Sequence, residues 1–185
     1  MSPPVLIVVD VQRGFDDGEY WGPRDNPSCE ANIGRLIERW SAAGDPIVLV
    51  RHDSGPDDEG SPLTPGQEGN AFKDVLAGVT PDLVVSKSVN SAFYGRPDLH
   101  AWLQRHRAEE VVVCGITTNH CCETTARMAG NLGYDVRFVI DATHTFDRRA
   151  PDGEVIPAAT LSRITATNLD GEFAHVLSTD AILRP

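Results

Sequence analysis

Residues 111–126 read Val-Val-Val-Cys-Gly-Ile-Thr-Thr-Asn-His-Cys-Cys-Glu-Thr-Thr-Ala. The β-branched run at the start is typical of a buried strand, which we expect to end at Gly115. A short polar turn follows, and we expect a helix to begin near Asn119 or His120, with Cys121 in its first turn. A strand that runs directly into a helix is half of a βαβ unit, so this stretch predicts a parallel sheet.

The same alternation of apolar runs and helical stretches continues along the whole chain. Six short apolar runs are predicted as strands: Val5–Val9, Ile47–Val50, Leu83–Val85, Val111–Cys114, Val136–Ile140 and Ala174–Leu177. Four stretches between them are predicted as helices: Glu30–Ala43, Asp98–His106, His120–Leu132 and Pro157–Leu169. The first of these helices carries an apolar stripe at helical spacing, formed by Ile33, Leu36, Ile37 and Trp40. These elements predict an α/β fold with three layers.

The length and composition of the chain favour one soluble globular domain. At 185 residues the chain has the size of one domain, and we predict a single domain over residues 1–185. Its formal net charge of -11 repels phosphate backbones and anionic lipids, so we expect neither nucleic acid nor a membrane as partner. No apolar run reaches the roughly 18 residues of a membrane span. Four cysteines, two of them adjacent, indicate a reduced and therefore cytoplasmic protein.

Two further predicted strands end in polar residues that could carry chemistry. Asp10 directly follows the first strand, and Lys87 lies two residues beyond the third. Because parallel strands end at one edge of a sheet, we expect Asp10, Lys87 and Cys121 to meet there. Each also has an ordinary structural explanation: a solvated or capping carboxylate, a surface cation, and a small buried apolar side chain. An acid, a cation and a thiol at one edge together favour a functional site.

The ionisation of Cys121 depends on opposing neighbours. The start of a helix and a nearby lysine both stabilise a thiolate, which would lower the pKa of Cys121. A nearby carboxylate would raise that pKa. The sequence leaves open whether the resting pair is a thiolate with protonated Asp10 or a thiol with a carboxylate. Free backbone N–H groups at the same helix start could also stabilise an oxyanion on a substrate carbonyl.

Three motifs, in order along the chain, resemble the isochorismatase-like cysteine hydrolases, a superfamily that includes nicotinamidases, N-carbamoylsarcosine amidases, ureidoacrylate hydrolases and streptothricin hydrolases. The motifs are Val8-Val9-Asp10-Val11-Gln12 with Phe15, Lys87 with Ser91-Ala92-Phe93-Tyr94-Gly95, and Gly115-Ile116-Thr117-Thr118-Asn119-His120-Cys121 with Thr125 and Arg127. The resemblance covers nearly the whole chain. It implies a Rossmann-like fold with a six-stranded parallel sheet flanked by helices, and a catalytic triad of Asp10, Lys87 and Cys121. It also implies a cis peptide between Ile116 and Thr117, which aims the backbone N–H groups of Thr117 and Cys121 at the substrate oxygen.

The resemblance also implies a reaction. We expect a hydrolase that uses no cofactor and cleaves a C–N bond of a small amide, lactam or ureido substrate through a covalent thioester-type intermediate. The alternative within enzymes is isochorismatase-type hydrolysis of a vinyl ether, in which an acid corresponding to Asp10 protonates the substrate and the thiol need not attack. The alternative from another class is a catalytically silent homologue that binds a ligand. The resemblance also implies a homo-oligomer, either a dimer or a tetramer.

Aromatic residues in the motifs are candidates for contacting the substrate. Phe15, Phe93 and Tyr94 are predicted to do so. Further candidates for the pocket wall are Trp21, His144 and Phe146. All of these side chains could equally pack in the core.

Histidines and one long connection complete the analysis. Nicotinamidases carry an Asp-x-His metal motif after the second strand, whereas this chain reads Arg51-His52-Asp53-Ser54. We therefore expect no bound metal and interpret His52 as a hydrogen-bonded loop residue. His120 is expected to face a helix or a subunit contact, and Cys122 to pack in the core. The connection Asp53–Asn70 is long for one domain and is either functional or a solvated excursion.

Overall fold

The structure, a computed structural model, describes residues 2–184. The strands of this part of the chain are β1 (Val5–Val9), β2 (Ile47–His52), β3 (Leu83–Lys87), β4 (Glu110–Ile116), β5 (Asp135–His144), β6 (Arg148–Arg149), β7 (Val155–Ile156) and β8 (His175–Leu177). Its α-helices are α1 (Gly18–Trp21), α2 (Cys29–Ala43), α3 (Leu99–Arg105), α4 (Glu123–Asn131), α5 (Ala158–Leu169) and α6 (Thr179–Leu183). Within residues 2–184, no helix combines the length and the apolar character that crossing a membrane requires.

Six of the strands form one parallel sheet in the spatial order β3-β2-β1-β4-β5-β8. The predicted α/β fold with a six-stranded parallel sheet flanked by helices is therefore confirmed. The first strand lies in the interior of the sheet, between β2 and β4. Interior parallel strands are covered on both faces, which explains why Val5–Val9 is an unbroken apolar run. The short strands β6 and β7 form a separate antiparallel hairpin.

The side chains of the sheet alternate between two apolar clusters, one on each face. Val5, Ile7 and Val9 belong to the cluster that contains buried residues of α3 and α4. Leu6 and Val8 belong to the cluster that contains the stripe of α2. That predicted stripe, consisting of Ile33, Leu36, Ile37 and Trp40, is buried throughout. Helices thus cover both faces, and the predicted three-layer arrangement results.

Several strands continue past their predicted carboxyl ends into polar residues. His52 ends β2 and Lys87 ends β3, and the two residues are partners in the parallel ladder. His144 ends β5 and is the partner of Ile116 in β4. Strand pairing depends on the neighbouring backbone, so the apolar pattern of one segment underestimates where its strand ends. The extensions place polar side chains on the carboxyl edge of the sheet.

The predicted helix over His120–Leu132 begins with an irregular turn. A π-helical turn spans Thr118–Cys122, and α4 follows it directly. The backbone oxygen of Thr117 accepts hydrogen bonds from the N–H groups of His120 and Cys122. Cys121 therefore lies in this turn, between the end of β4 and the start of α4.

The connection Asp53–Asn70 folds back onto the end of β2. The buried side-chain amide of Asn70 donates hydrogen bonds to the backbone oxygens of His52 and Leu63. Gln12, which is fully buried beyond the end of β1, donates to the backbone oxygens of His52 and Asn70. Leu63 and Asn70 thus build part of the carboxyl edge, whereas residues 56–60 and 65–68 of the same connection are exposed to solvent.

Candidate active site

Asp10 stands directly beyond the end of β1 in a left-handed backbone conformation, with φ of 50°. Its backbone N–H donates to the oxygen of Val50, which ties the turn to the neighbouring strand. The carboxylate is fully buried. One of its oxygens, Oδ2, accepts a hydrogen bond of 2.6 Å from Lys87 Nζ. The other, Oδ1, has no hydrogen-bond partner among the described residues, so it is available as a proton acceptor.

Lys87 ends β3, and its ammonium group is fully buried at the carboxyl edge. Besides Asp10, the ammonium reaches Cys121 Sγ at 3.3 Å and His52 Nδ1 at 3.2 Å. The three residues that the sequence singled out therefore meet, because the ammonium of Lys87 contacts both Asp10 and Cys121.

Cys121 is placed by the chain reversal after β4. Gly115 has φ of 129°, and a Cβ atom there would lie 2.0 Å from the backbone oxygen of Val9, so only glycine fits at this crossing. The peptide bond between Ile116 and Thr117 is cis. Cys121 is 8% exposed, whereas Cys122 is fully buried in the core.

Burial controls the ionisation of this site. Burial, reinforced by the charge of Asp10 and opposed by Lys87, raises the pKa of Cys121 to about 12. Burial also raises the pKa of Asp10, although the Lys87 ammonium opposes that shift. For Lys87, burial disfavours the charged form, but attraction to Asp10 and Cys121 outweighs it and raises the pKa. Of the two resting states left open by the sequence, the protonated thiol with ammonium and carboxylate is the one that these pKa directions and the 2.6 Å ion pair favour.

The same side chains include a donor set that could bind a metal ion. One ligand atom each of Asp10, His52 and Cys121 lies within 4.8 Å of the others. The Lys87 ammonium, however, is hydrogen-bonded to all three side chains. Because a fixed positive charge repels a second cation at this distance, the donor set is suited to the ammonium rather than to a metal.

A cavity of about 110 Å³ opens onto the thiol. Its aromatic side is formed by Phe15, Trp21 and Phe146, with ring centroids of Trp21 at 4.9 Å from Phe15 and 5.4 Å from Phe146. The rest of its wall is formed by His52, Leu63, Asn90, Thr117, His120, Cys121, Thr145 and Arg148. A larger groove of about 740 Å³ between Arg13 and Asp74 contains none of Asp10, Lys87 or Cys121, so we assign it no part in the chemistry.

The structure places the predicted aromatic residues in two different regions. Phe15 lines the cavity, as do Trp21 and Phe146. Phe93 and Tyr94 instead line a separate surface depression with residues of α3 and α4. The ring of Phe93 stacks on that of Tyr134 at 6.2 Å, and Tyr94 is 69% exposed. Neither ring lines the cavity that opens onto the thiol, so their predicted contact with substrate is not supported.

The histidines lie in three different surroundings. His120 lines the cavity, and burial followed by the charge of Arg148 lowers its pKa. His144 does not line the cavity but is fully buried, with its ring edge-on to Phe146 at 5.2 Å. His52 contacts the ammonium of Lys87.

Sequence reasoning missed several residues that line the cavity. Asn90 places Oδ1 3.9 Å from Cys121 Sγ. Thr145 and Arg148 follow β5, and Leu63 comes from the connection after β2. For Asn90 its position three residues beyond Lys87 was a usable signal. The other three residues had none, because each reaches the cavity through the path of a loop.

The chain is similar to one family of proteins in sequence and in fold. A family model described as Isochorismatase domain matches residues 4–179. The isochorismatase family protein YrdC of Bacillus subtilis (strain 168) is 38% identical over 178 residues, which cover 96% of this chain and 93% of that protein. Nicotinamidase 3 of Arabidopsis thaliana is 30% identical over 190 residues, which cover 97% of this chain and 86% of that protein. A crystal structure of an isochorismatase family protein from Chromobacterium violaceum ATCC 12472 has a TM-score of 0.91 at 37% identity and covers 98% of this chain and 92% of that chain.

Proposed function

Because this chain belongs to the isochorismatase family of hydrolases, we propose that it is a cysteine hydrolase that cleaves a C–N bond of a small amide, lactam or ureido compound. The observation that carries this proposal is the buried Lys87 ammonium, 2.6 Å from Asp10 Oδ2 and 3.3 Å from Cys121 Sγ at the wall of a cavity. In this proposal Asp10, Lys87 and Cys121 are the catalytic triad, and the reaction needs no cofactor.

Acylation begins when Asp10 accepts the thiol proton of Cys121. The sulfur forms a bond to the substrate carbonyl carbon, and the electron pair of the C=O bond moves to the oxygen. The backbone N–H groups of Thr117 and Cys121 stabilise that oxyanion. Asp10 then gives the proton to the leaving nitrogen while the oxyanion re-forms the C=O bond and the C–N bond breaks. An amine or ammonia departs from an acyl or carbamoyl thioester; from a lactam, the freed amine stays attached to the acyl group.

Deacylation uses the same groups in reverse. Asp10 accepts a proton from water while the water oxygen attacks the thioester carbonyl, and the proton returns to the departing sulfur of Cys121. The acid product leaves and the thiol is regenerated. Burial raises the pKa of Asp10, which makes it a stronger base than a solvated carboxylate. Lys87 keeps its proton, and its charge stabilises whichever of Asp10 and Cys121 is negative.

The cavity wall indicates what such a substrate carries. Phe15, Trp21 and Phe146 offer an aromatic surface for a planar or apolar group. Among the described residues that line the cavity, Arg148 is the one with a permanent charge, and it suits a substrate oxygen. The relative named a nicotinamidase supports an amide as the bond that is cleaved.

The decisive experiment is a screen of amides, lactams and ureido compounds for release of ammonia or acid, followed by the variant Cys121→Ala. We expect this variant to lose C–N hydrolysis almost entirely, because no other group forms the thioester. Cys122→Ala is the matched control, since its fully buried side chain belongs to the core. It is expected to cost about 1 kcal/mol of stability and to retain turnover.

Other outcomes would identify the alternatives. Vinyl ether hydrolysis that survives in Cys121→Ala would favour isochorismatase-type chemistry, in which Asp10 acts as an acid. Ligand binding without turnover of any compound would favour a silent homologue. Loss of hydrolysis on chelation, restored by zinc or iron, would contradict the use of the Lys87 ammonium as the cation of the site.

Three further expectations remain predictions. The whole of residues 1–185 forms one hydrolase domain. The protein acts in the cytoplasm on a small-molecule substrate. It forms a homo-oligomer, for which light scattering should give a multiple of the chain mass of 20.1 kDa.

A further inference from the structure

Each N–H bond of the Lys87 ammonium has one acceptor. An ammonium group carries three N–H donors and no acceptor. Asp10 Oδ2, His52 Nδ1 and Cys121 Sγ lie 2.6, 3.2 and 3.3 Å from Nζ. The Lys87 side chain is fully buried, so water does not replace any of these partners. The triad accounts for two of the three N–H bonds, and His52 accounts for the third.

The contact with Lys87 determines the protonation of the His52 ring. Because the ammonium can only donate, the Nδ1 atom that it contacts must be unprotonated. The neutral ring then carries its proton on Nε2. Burial, followed by the charge of Lys87, lowers the pKa of His52 and keeps the ring neutral. The negative charges of Asp10, Asp53 and Asp58, in that order, oppose the shift less strongly.

The backbone of His52 is held on both sides. Its N–H donates to Gln12 Oε1 at 2.8 Å, and its oxygen accepts from Gln12 Nε2 at 2.9 Å. Asn70 Nδ2 donates to the same oxygen at 3.0 Å. The residue is also the strand partner of Lys87. Buried polar side chains thus fix the residue whose ring contacts the ammonium, a degree of support that a loop histidine without a role does not require.

We propose that His52 is a positioning residue, whose Nδ1 anchors the third N–H of Lys87 and keeps the ammonium in contact with both Asp10 and Cys121. This inference rests on the proposed function, in which that ammonium stabilises the anions of the reaction. A neutral acceptor suits this task. A carboxylate at position 52 would add a second negative charge beside the ammonium, after that of Asp10, and weaken its attraction for the sulfur, whereas a neutral imidazole adds none.

The test compares His52→Asn with His52→Phe. The Oδ1 atom of asparagine can occupy the place of Nδ1 and accept from Lys87, whereas phenylalanine keeps a ring without an acceptor. His175→Phe is the matched control, since its side chain is 62% exposed and lies on β8. The readouts are the rate at which iodoacetamide labels Cys121, kcat with a substrate found by the screen, and the thermal unfolding temperature.

We expect His52→Phe to slow labelling and to lower kcat roughly tenfold or more, as loss of a hydrogen bond to a charged group does. His52→Asn should recover most of both rates, and His175→Phe should leave them unchanged. Full labelling and kcat in a folded His52→Phe would overturn the inference, as would equal losses in both His52 variants. Neither result depends on Cys121→Ala, so the proposed function can fail while the labelling comparison still tests His52.

A second measurement uses the unmodified protein and does not depend on whether a variant folds. Nitrogen-15 NMR of the histidine rings distinguishes protonated from unprotonated ring nitrogens. We expect an unprotonated Nδ1 and a protonated Nε2 for His52 at neutral pH. A proton on Nδ1 would overturn the inference, because that atom could not then accept from Lys87.

Discussion

The thiol of Cys121 shows how burial can outweigh a neighbouring cation. The ammonium of Lys87 lies 3.3 Å from the sulfur and favours the thiolate, but burial and the charge of Asp10 are together stronger. The result is a pKa of about 12, so the resting group is a thiol. In the proposed mechanism a thiolate forms only when Asp10 takes the proton, which would couple the nucleophile to its base in one step.

Labelling of the cysteines tests this ionisation. We expect iodoacetamide to modify Cys121 ahead of Cys29, Cys114 and Cys122, because the other three are fully buried whereas Cys121 is 8% exposed at the cavity wall. Below its pKa, the thiolate fraction of Cys121 grows about tenfold for each unit of pH, so labelling should accelerate from pH 7 to pH 9. At any one pH, Lys87→Ala should label more slowly than the wild-type protein, because the cation that lowers the pKa of the Cys121 thiol is lost.

Mass spectrometry of peptides after timed labelling gives these rates. A rate that is already constant from pH 7 upward would show a preformed thiolate and contradict the assignment of a raised pKa. Preferential labelling of Cys122 with loss of activity would contradict the choice of nucleophile.

Two short 3-10 turns decide which aromatic rings reach the cavity. The turn Arg13–Asp16 follows β1 and carries Phe15 to the cavity wall. The turn Ala92–Tyr94 follows β3, but it packs beside α3 and α4 and carries Phe93 and Tyr94 to a different surface. Both turns follow strands that end at the same edge, so their positions along the chain do not distinguish them.

Matched substitutions in these turns separate their roles. Phe15→Leu should raise KM for an active substrate roughly two- to tenfold, the worth of one aromatic contact, and leave kcat less affected. Tyr94→Leu should leave KM unchanged, since this side chain is 69% exposed and outside the cavity. Steady-state kinetics of both variants provide the measurement. An increase of KM in Tyr94→Leu alone would show that the sequence-based choice of Tyr94 was right.

The stability of the whole molecule should depend on pH through His144. Burial, followed by the charge of Arg24, lowers the pKa of His144 to about 3. Both ring nitrogens are buried with no hydrogen-bond partner among the described residues. Because the unfolded histidine has a pKa near ~6.5, protons bind more strongly to the unfolded chain. This contribution to stability is full above pH 6.5 and is lost as the pH falls from 6.5 toward 3.

Urea denaturation at pH 7 and pH 5 tests this linkage. Between these values the wild-type protein should lose about 2 kcal/mol of unfolding free energy through His144 alone, at 1.36 kcal/mol for each unit below ~6.5. His144→Leu should not show this loss, because leucine does not titrate. Tryptophan fluorescence reports the unfolding. The same dependence on pH in both proteins would rule out His144 as its source.

The sequence by itself determined the alternation of buried strands and amphipathic helices, and with it the parallel sheet. The run Val5–Val9 and the stripe of α2 were readable because apolar periodicity is a local property of the chain. It also determined that Asp10, Lys87 and Cys121 come after or at the ends of strands, and strand ends of a parallel sheet share one edge.

Only the tertiary structure decided which neighbours those residues have. His52 contacts Lys87 through strand register, and Arg148 reaches the cavity through the path of a loop after β5. The exposure of the Tyr94 side chain and the raised pKa of Cys121 were also decided by neighbours in space rather than by neighbours in sequence. Burial and electrostatic interaction are sums over atoms close in space, and most of those atoms belong to residues far apart in sequence.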